Sequence, residues 1–434
     1  MTALACSWTR NASQKGRACQ KRRKPFMSEL YSLYLQQRDP VHVGTLWLNR
    51  IKGKISSAFV YAPDWLVHPG RFAISPDLPL DQFPKTREGL FLCLQDCSPD
   101  RWGQALLRRQ ELALAESQKR KPRTLLSSDM LLLVSDFTRQ GALRLLADDG
   151  KTFLSPSGPN SVPPLVALPR LLHAARNMET RSETNNDLAL LVAPGSSLGG
   201  ARPKASVLGD KGELLIAKFP GCNDSRDVPL WEYVTLRLAS LAGIRTPHVR
   251  LLRVAGKNVL LVSRFDRVFD CEGERRIPFL SAMSLLQARD GDHASYVDIA
   301  DALQAEGARP ASDLPELWMR MVFNMCVYNT DDHLRNHGLL REPLGWRLSP
   351  VYDLEISHPA EKAPFLHTGI VPDMQAFDLN AALEAADFFR LGKSEATERM
   401  ARIRKAVSHW KEEATRAGAQ ASEIRLMQES FEYL

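Results

Sequence analysis

The stretch 324–340, NMCVYNTDDHLRNHGLL, constrains this chain more than any other. The run that leads into it, LPELWMRMVFNMCVYN, repeats Trp318, Met321, Val322 and Met325 at i, i+3, i+4 and i+7. That is the spacing of a helix with one face in a core. It ends abruptly in a polar cluster where Asp331 and Asn336 stand five apart, D-x-x-x-x-N. Seventeen residues after Asn336, the strand-like LSPVYDL delivers Asp353. Phosphoryl transfer needs such a set: a carboxylate that orients a hydroxyl, and an amide with a second carboxylate to hold Mg2+ against phosphate charge. Taken alone, TDDH would be a polar helix cap, because Thr, Asp and Asn favour those positions. His333 and His337, four apart, could share a helix face as zinc ligands do, but position 334 is Leu where H-E-x-x-H requires Glu.

Length and composition set outer bounds. A chain of 434 residues holds two or three domains and a large core, and 44% hydrophobic with 25% charged residues is ordinary for a globular protein. No apolar run nears the ~18 residues of a membrane span. The seven cysteines are scattered without a C-x-x-C pair, which points to reduced thiols and a cytoplasmic setting. The net charge of +7 misleads. Arg10, Lys15, Arg17, Lys21, Arg22, Arg23 and Lys24 lie in the first 26 residues with no acidic residue among them. The rest of the chain is therefore neutral overall and gives no electrostatic case for direct nucleic-acid binding. Residues 1–27 lack an apolar h-region and read as a disordered basic leader, or as a segment upstream of a true start at Met27.

Four regions follow. Residues 28–150 form a β-rich first domain: VHVGTLWL and ISSAFVY flank a turn at 51–54 as a hairpin, and SPDRWGQALLRRQELALAES reads as a helix capped by Ser98 or Asp100. No chemistry is expected from it. Five prolines in 155–169 mark a boundary. Residues 151–280 read as a nucleotide-holding lobe. GSSLGGARPKASVL carries Gly195, Gly199 and Gly200, which let backbone N–H groups face phosphate. LLIAKF follows, a short strand ending in Lys218 and similar to the V-A-I-K strand whose Lys pairs with phosphates. Glu232, fourteen residues on, is either that lysine's partner or a solvated glutamate. VRLLRVAGKNVLLVSRF is two strands leading to Arg264-Phe265-Asp266, where Phe265 lies against a base or in the core. Residues 281–434 read as a helical catalytic lobe, with 355–372 a flexible activation segment and the tail from 379 a scaffold.

A glycine loop, Lys218, Asp331 with Asn336, and Asp353 thus stand in kinase order, but with N-T-D and Y-D-L in place of H-R-D and D-F-G. SSLGGARPK, NTDDHLRNH, SPVYDL and the RFDR segment at 264–267 resemble the HipA family of bacterial toxin–antitoxin serine/threonine kinases. GTLWL and SPDRWGQALLRR resemble its N-terminal subdomain, so the likeness covers about residues 40–430. It implies an α+β, two-lobed protein-kinase-like fold using ATP and Mg2+. By that resemblance Asp331 is the catalytic base. Asn336 and Asp353 bind the metal. Gly199, Gly200 and Lys218 hold the triphosphate, and Phe265 and His333 lie against the nucleotide. Ser197, with Ser196 beside it, stands where family members autophosphorylate and expel the loop. The family works with a HipB-like helix-turn-helix antitoxin and meets DNA only through it. Its substrates include aminoacyl-tRNA synthetases, and its setting is cytoplasmic, away from membranes. Ser263 departs from the acidic residue that many members carry before R-F-D-R. Two other functions share these motifs: a non-catalytic kinase-like partner in an antitoxin–DNA repression complex, and a small-molecule kinase. The intact Lys218, Asp331, Asn336 and Asp353 set argues against loss of catalysis.

Overall fold

The computed structural model describes residues 28–147, 150–155, 161–192, 200–270 and 273–434. The leader 1–27 and the loop residues Ser196, Ser197 and Gly199 lie outside them.

The first domain is built on an antiparallel sheet of β1 (Ser28–Gln36), β2 (Pro40–Ile51), β3 (Lys54–Tyr61), β4 (Lys85–Glu88) and β5 (Leu143–Leu146), in the order β4-β3-β2-β1-β5. In β3, Ile55, Phe59 and Tyr61 alternate into the core, the period of two that a half-buried strand requires. The expected hairpin forms, with Lys52 and Gly53 both at positive φ in its turn, as a two-residue connection favours. Gly44 of β2 has no room for a side chain: a Cβ there would stand 2.3 Å from the carbonyl oxygen of Val60.

A second sheet carries the cleft. Its strands β6 (Lys204–Leu208), β7 (Leu214–Lys218), β8 (Val249–Val254) and β9 (Lys257–Ser263) lie in the order β6-β7-β9-β8, all antiparallel. Alternation along β7 sends Leu215 and Ala217 to one face and Ile216 to the other. Leu215 and Ala217 pack with Trp102, Leu106, Leu171 and Leu191, so helix Arg101–Ser117, from the first third of the chain, helps to seal the back of this sheet. The opposite face meets helix Val228–Leu241. That helix is braced from behind by the C-terminal tail, where Trp231 lies 6.4 Å from Trp410 and 6.0 Å from Phe431.

A hairpin of β10 (Arg267–Asp270) and β11 (Gly273–Arg276) links to the helical lobe. There β12 (Phe279–Ser281), β13 (Gly338–Glu342) and β14 (Gly345–Leu348) form a small sheet. Helix Pro310–Cys326 runs through the centre of this lobe, with Trp318, Met321, Val322 and Met325 fully buried as their spacing demands. The segment 355–372, expected to be flexible, is instead packed down. Ile356, Leu366 and Ile370 are buried, and the backbone N–H groups of His367 and Thr368 donate to the Asp332 carboxylate. No described helix is long and apolar enough to cross a membrane.

Candidate active site

Lys218 ends β7 on the face toward helix Val228–Leu241. Asp227 caps that helix by accepting from the Leu230 N–H, and Glu232 falls one turn in, facing the lysine. Lys218 Nζ lies 2.5 Å from Glu232 Oε1 and donates as well to Asp353 Oδ1, from the far side of the cleft. Glu232 is buried, so it is the partnered glutamate and not the solvated one. Burial raises Glu232 above the usual carboxylate range, with Lys218 opposing. For Asp353 burial pushes the same way, but the Lys218 and Lys204 ammoniums outweigh it and hold the carboxylate below its ordinary value. Asp353 adopts a left-handed backbone, φ 52°, which costs a non-glycine residue on the order of 1–2 kcal/mol.

Two asparagines shape the polar loop. Asn329 Nδ2 donates to Asn324 Oδ1 at the helix end, while Asn329 Oδ1 accepts from the Asp331 N–H at 3.0 Å. Asn336 Nδ2 donates to the Asp331 carbonyl oxygen at 2.8 Å. The Asp331 backbone is thereby held from both sides. Its carboxylate, half-buried, accepts no hydrogen bond among the described residues. The bond through Nδ2 leaves the Asn336 carbonyl oxygen as that side chain's hard donor. Among the described residues no group of three or more His, Cys, Asp or Glu is placed to hold an ion. A cation here would take Asp353, the Asn336 oxygen, phosphate and water, which suits Mg2+, an ion seldom caged by protein alone.

The two histidines have separate surroundings. His337 is buried, its Nε2–H donates to the Asp332 carbonyl oxygen at 3.1 Å, and burial drives its pKa down to about 3, so the ring is neutral. His333 stands edge-on to His367, with burial lowering its pKa and Asp331 opposing.

The cleft between the lobes holds about 910 Å³ of empty space, part of it open to solvent. Phe265 lines it, with ring centroids 5.6 Å from Tyr352 and 6.5 Å from Phe279. Gly200, at φ +94°, passes close over the site: a Cβ there would stand 3.4 Å from Lys204 Nζ and 3.9 Å from Asp353 Oδ2.

Sequence reasoning missed what the first domain contributes. Gln95, Asp96, Asp100 and Gln140 also line the cleft. Asp96 accepts from the Ser281 N–H and hydroxyl, each at 2.7 Å. Asp100, read only as a cap, does cap its helix through Gly103 N–H at 2.7 Å, but its second oxygen lies 2.8 Å from Lys204 Nζ. Lys204 itself stands inside the SSLGGARPK motif and could have been noted there. The RFDR segment also does more than present Phe265 to the cleft. Asp266 is sandwiched by Arg264 and Arg267, and it accepts from Gly141 N–H at 2.8 Å. Both arginines donate to carbonyl oxygens of 137–141. These bonds fasten the first domain to the cleft wall.

A sheet lobe and a helical lobe meeting across such a cleft, with a Lys–Glu pair on one side and a D-x-x-x-x-N loop on the other, define a protein-kinase-like molecule. Within that class this chain belongs to the HipA family: residues 196–411 match the HipA-like C-terminal domain and residues 37–128 the HipA N-terminal domain. A protein of Sinorhizobium fredii (strain NGR234) named "Putative kinase Y4mE" is 27% identical over 343 residues, spanning 71% of this chain and 75% of that protein. The serine/threonine-protein kinase toxin HipA of Shewanella oneidensis MR-1 is 24% identical over 189 residues, 37% of this chain and 43% of that one. A solved structure of S. oneidensis HipA, in complex with HipB and operator DNA, has the same fold. It superposes with a TM-score of 0.66 over 93% of this chain and 95% of that chain, at 16% identity.

Proposed function

We propose that this chain is an ATP- and Mg2+-dependent serine/threonine protein kinase and the toxin of a HipA/HipB-like pair. The observation that carries this reading is the convergence of Lys218, Glu232 and, from 135 residues further along the chain than Lys218, Asp353 into one buried charge group. On this reading Lys218, held by Glu232, steadies the triphosphate, and Gly199 and Gly200 supply it with backbone N–H groups. Phe265 and His333 flank the nucleotide. Asp331, on its braced loop, orients the substrate hydroxyl and takes its proton as the γ-phosphoryl moves to that oxygen and ADP departs. Asn336 and Asp353 hold Mg2+, which offsets the charge on the phosphates. The modified residue in cis is Ser197, with Ser196 its neighbour.

The likeness to a toxin solved with HipB and operator DNA supports a helix-turn-helix antitoxin as partner, with DNA met only through it. The substrate class we assign is a cytoplasmic protein of translation, such as an aminoacyl-tRNA synthetase, whose phosphorylation would arrest growth.

The test is incubation of the full chain with γ-labelled ATP and Mg2+, followed by phosphosite mapping. The expected result is label on Ser197, reduced at least ~100-fold by Asp331→Gln. Nucleotide binding with no transfer to any protein would overturn the kinase assignment in favour of a non-catalytic partner.

A further inference from the structure

We propose that Asp100, in the first domain, is a positioning residue for the cation site: it holds the Lys204 ammonium away from Asp353, leaving that carboxylate to Lys218 and the metal. The inference rests on the kinase reading above.

Lys204 and Lys218 sit directly opposite each other across β6 and β7. The pairing brings two ammoniums to one end of one cleft, where both line the wall with Asp353. Lys218 is committed to Glu232 and Asp353. Lys204, whose side chain is only 5% exposed, has Asp100 at 2.8 Å. Both Lys204 Nζ and Asp353 Oδ2 lie within 4 Å of where a Cβ on Gly200 would be, so they are no more than about 7 Å apart.

Asp100 is well built to choose between these partners. Its Oδ1 is fixed by the Gly103 N–H, which sets the side chain and aims Oδ2 at the lysine. Two residues on, Trp102 Nε1 donates to the Lys204 carbonyl oxygen at 2.9 Å. One helix terminus thus grips both ends of a residue a hundred positions away.

A charge count gives the consequence. Asp100, Glu232 and Asp353 against Lys204 and Lys218 make a buried group of net charge −1, which welcomes a divalent cation. Without the Asp100 charge the group is neutral, and Asp353 faces two ammoniums with no second carboxylate to hold Lys204. The cation must then displace a second ammonium, and at such separations in a buried site this is worth an order of magnitude in affinity.

The experiment is an EPR titration of Mn2+ into the full chain at saturating AMP-PNP, beside the melting temperature of each protein without ligand. Asp100→Asn and Asp100→Ser both keep a good helix cap while removing the charge, so either serves if the other fails to fold. Mn2+ should bind about tenfold more weakly to them, with melting temperatures within a few degrees of wild type. Combining Asp100→Asn with Lys204→Gln restores the net charge of −1 and should recover Mn2+ affinity to within about twofold of wild type. A purely structural role for Asp100 cannot produce that recovery. Unchanged Mn2+ affinity in the single variants, or a double variant as weak as the single, overturns the proposal. Failure of the wild-type chain itself to bind Mn2+ with AMP-PNP overturns the kinase reading as well.

Discussion

Asp331 and Asp332 are neighbours in sequence with opposite circumstances. Asp331 has its backbone braced and its half-buried carboxylate without a hydrogen-bond partner among the described residues. Asp332 points inward, 1% exposed, and accepts from Tyr296 Oη at 2.9 Å and from two backbone N–H groups of the segment beyond Asp353. Burial outweighs those donors and pushes Asp332 up to about 7, against about 3.9 for an aspartate in an unfolded chain. The folded state therefore binds an extra proton between those values. Stability should fall as pH rises from about 4 to 7 and change no further above that. Comparing urea midpoints of wild type and Asp332→Asn across pH 5 to 7.5 isolates the effect. The difference should move in favour of wild type as pH drops, by at most ~1.4 kcal/mol per unit. A constant difference would mean that Asp332 stays ionised in the folded protein. For Asp353 the prediction is functional: Asp353→Asn keeps its fold, because the Lys218–Glu232 pair persists, and loses Mg2+-dependent phosphoryl transfer. Full activity in that variant would remove Asp353 from the metal site.

Helix Pro310–Cys326 and the loop after it show which elements are legible in a sequence. The helix and the β2–β3 turn both follow from local spacing, and each formed where that spacing put it. The Lys218–Glu232 pair, fourteen residues apart, was half legible: the strand end and the helix start could be placed, but not the rotation that turns Glu232 inward. Asp100 with Lys204, and Asp332 with residues 367–368, were not legible at all. Their partners meet only after distant elements pack, and no periodicity records that. The packing of the 355–372 segment was misread for this reason, since its anchor, Asp332, lay in another element. Helix Pro310–Cys326 positions Asn324 and Asn329, so its packing should register in activity. Met321 is fully buried and does not line the cleft. Met321→Ala should cost roughly 2–5 kcal/mol in denaturant unfolding and lower phosphoryl transfer at temperatures where the protein is still folded. Loss of stability with no change in activity would mean that the loop does not depend on the helix for its geometry.

On the scale of the whole molecule, the first domain is not an appendage. One hydrophobic cluster runs from Leu33 in β1 through Trp231 and Trp318 to Phe431 in the last helix. The polar ties between the domains gather at the cleft: Asp96 with Ser281, Asp100 with Lys204, and the Arg264–Asp266–Arg267 group with 137–141. Asp266 is the keystone of the last of these, 2% exposed and held ionised by its two arginines despite burial. Removing it leaves the buried Arg264 guanidinium without its carboxylate and Arg267 with Glu274 alone, a change that costs about 3–5 kcal/mol in comparable sites. Because the same carboxylate receives the Gly141 N–H, the loss should not stay within one lobe. Hydrogen exchange read by mass spectrometry can separate the alternatives. If the domains share one cooperative unit, Asp266→Ala lowers protection in β1 and β2 of the first sheet and in β9 of the second by the same free energy. If they are independent bodies joined at a surface, protection falls near residue 266 while β1 and β2 keep wild-type values. The continuous core and the burial of the arginine–aspartate group both predict the first result, and with it a cleft whose wall cannot loosen without the first domain loosening too.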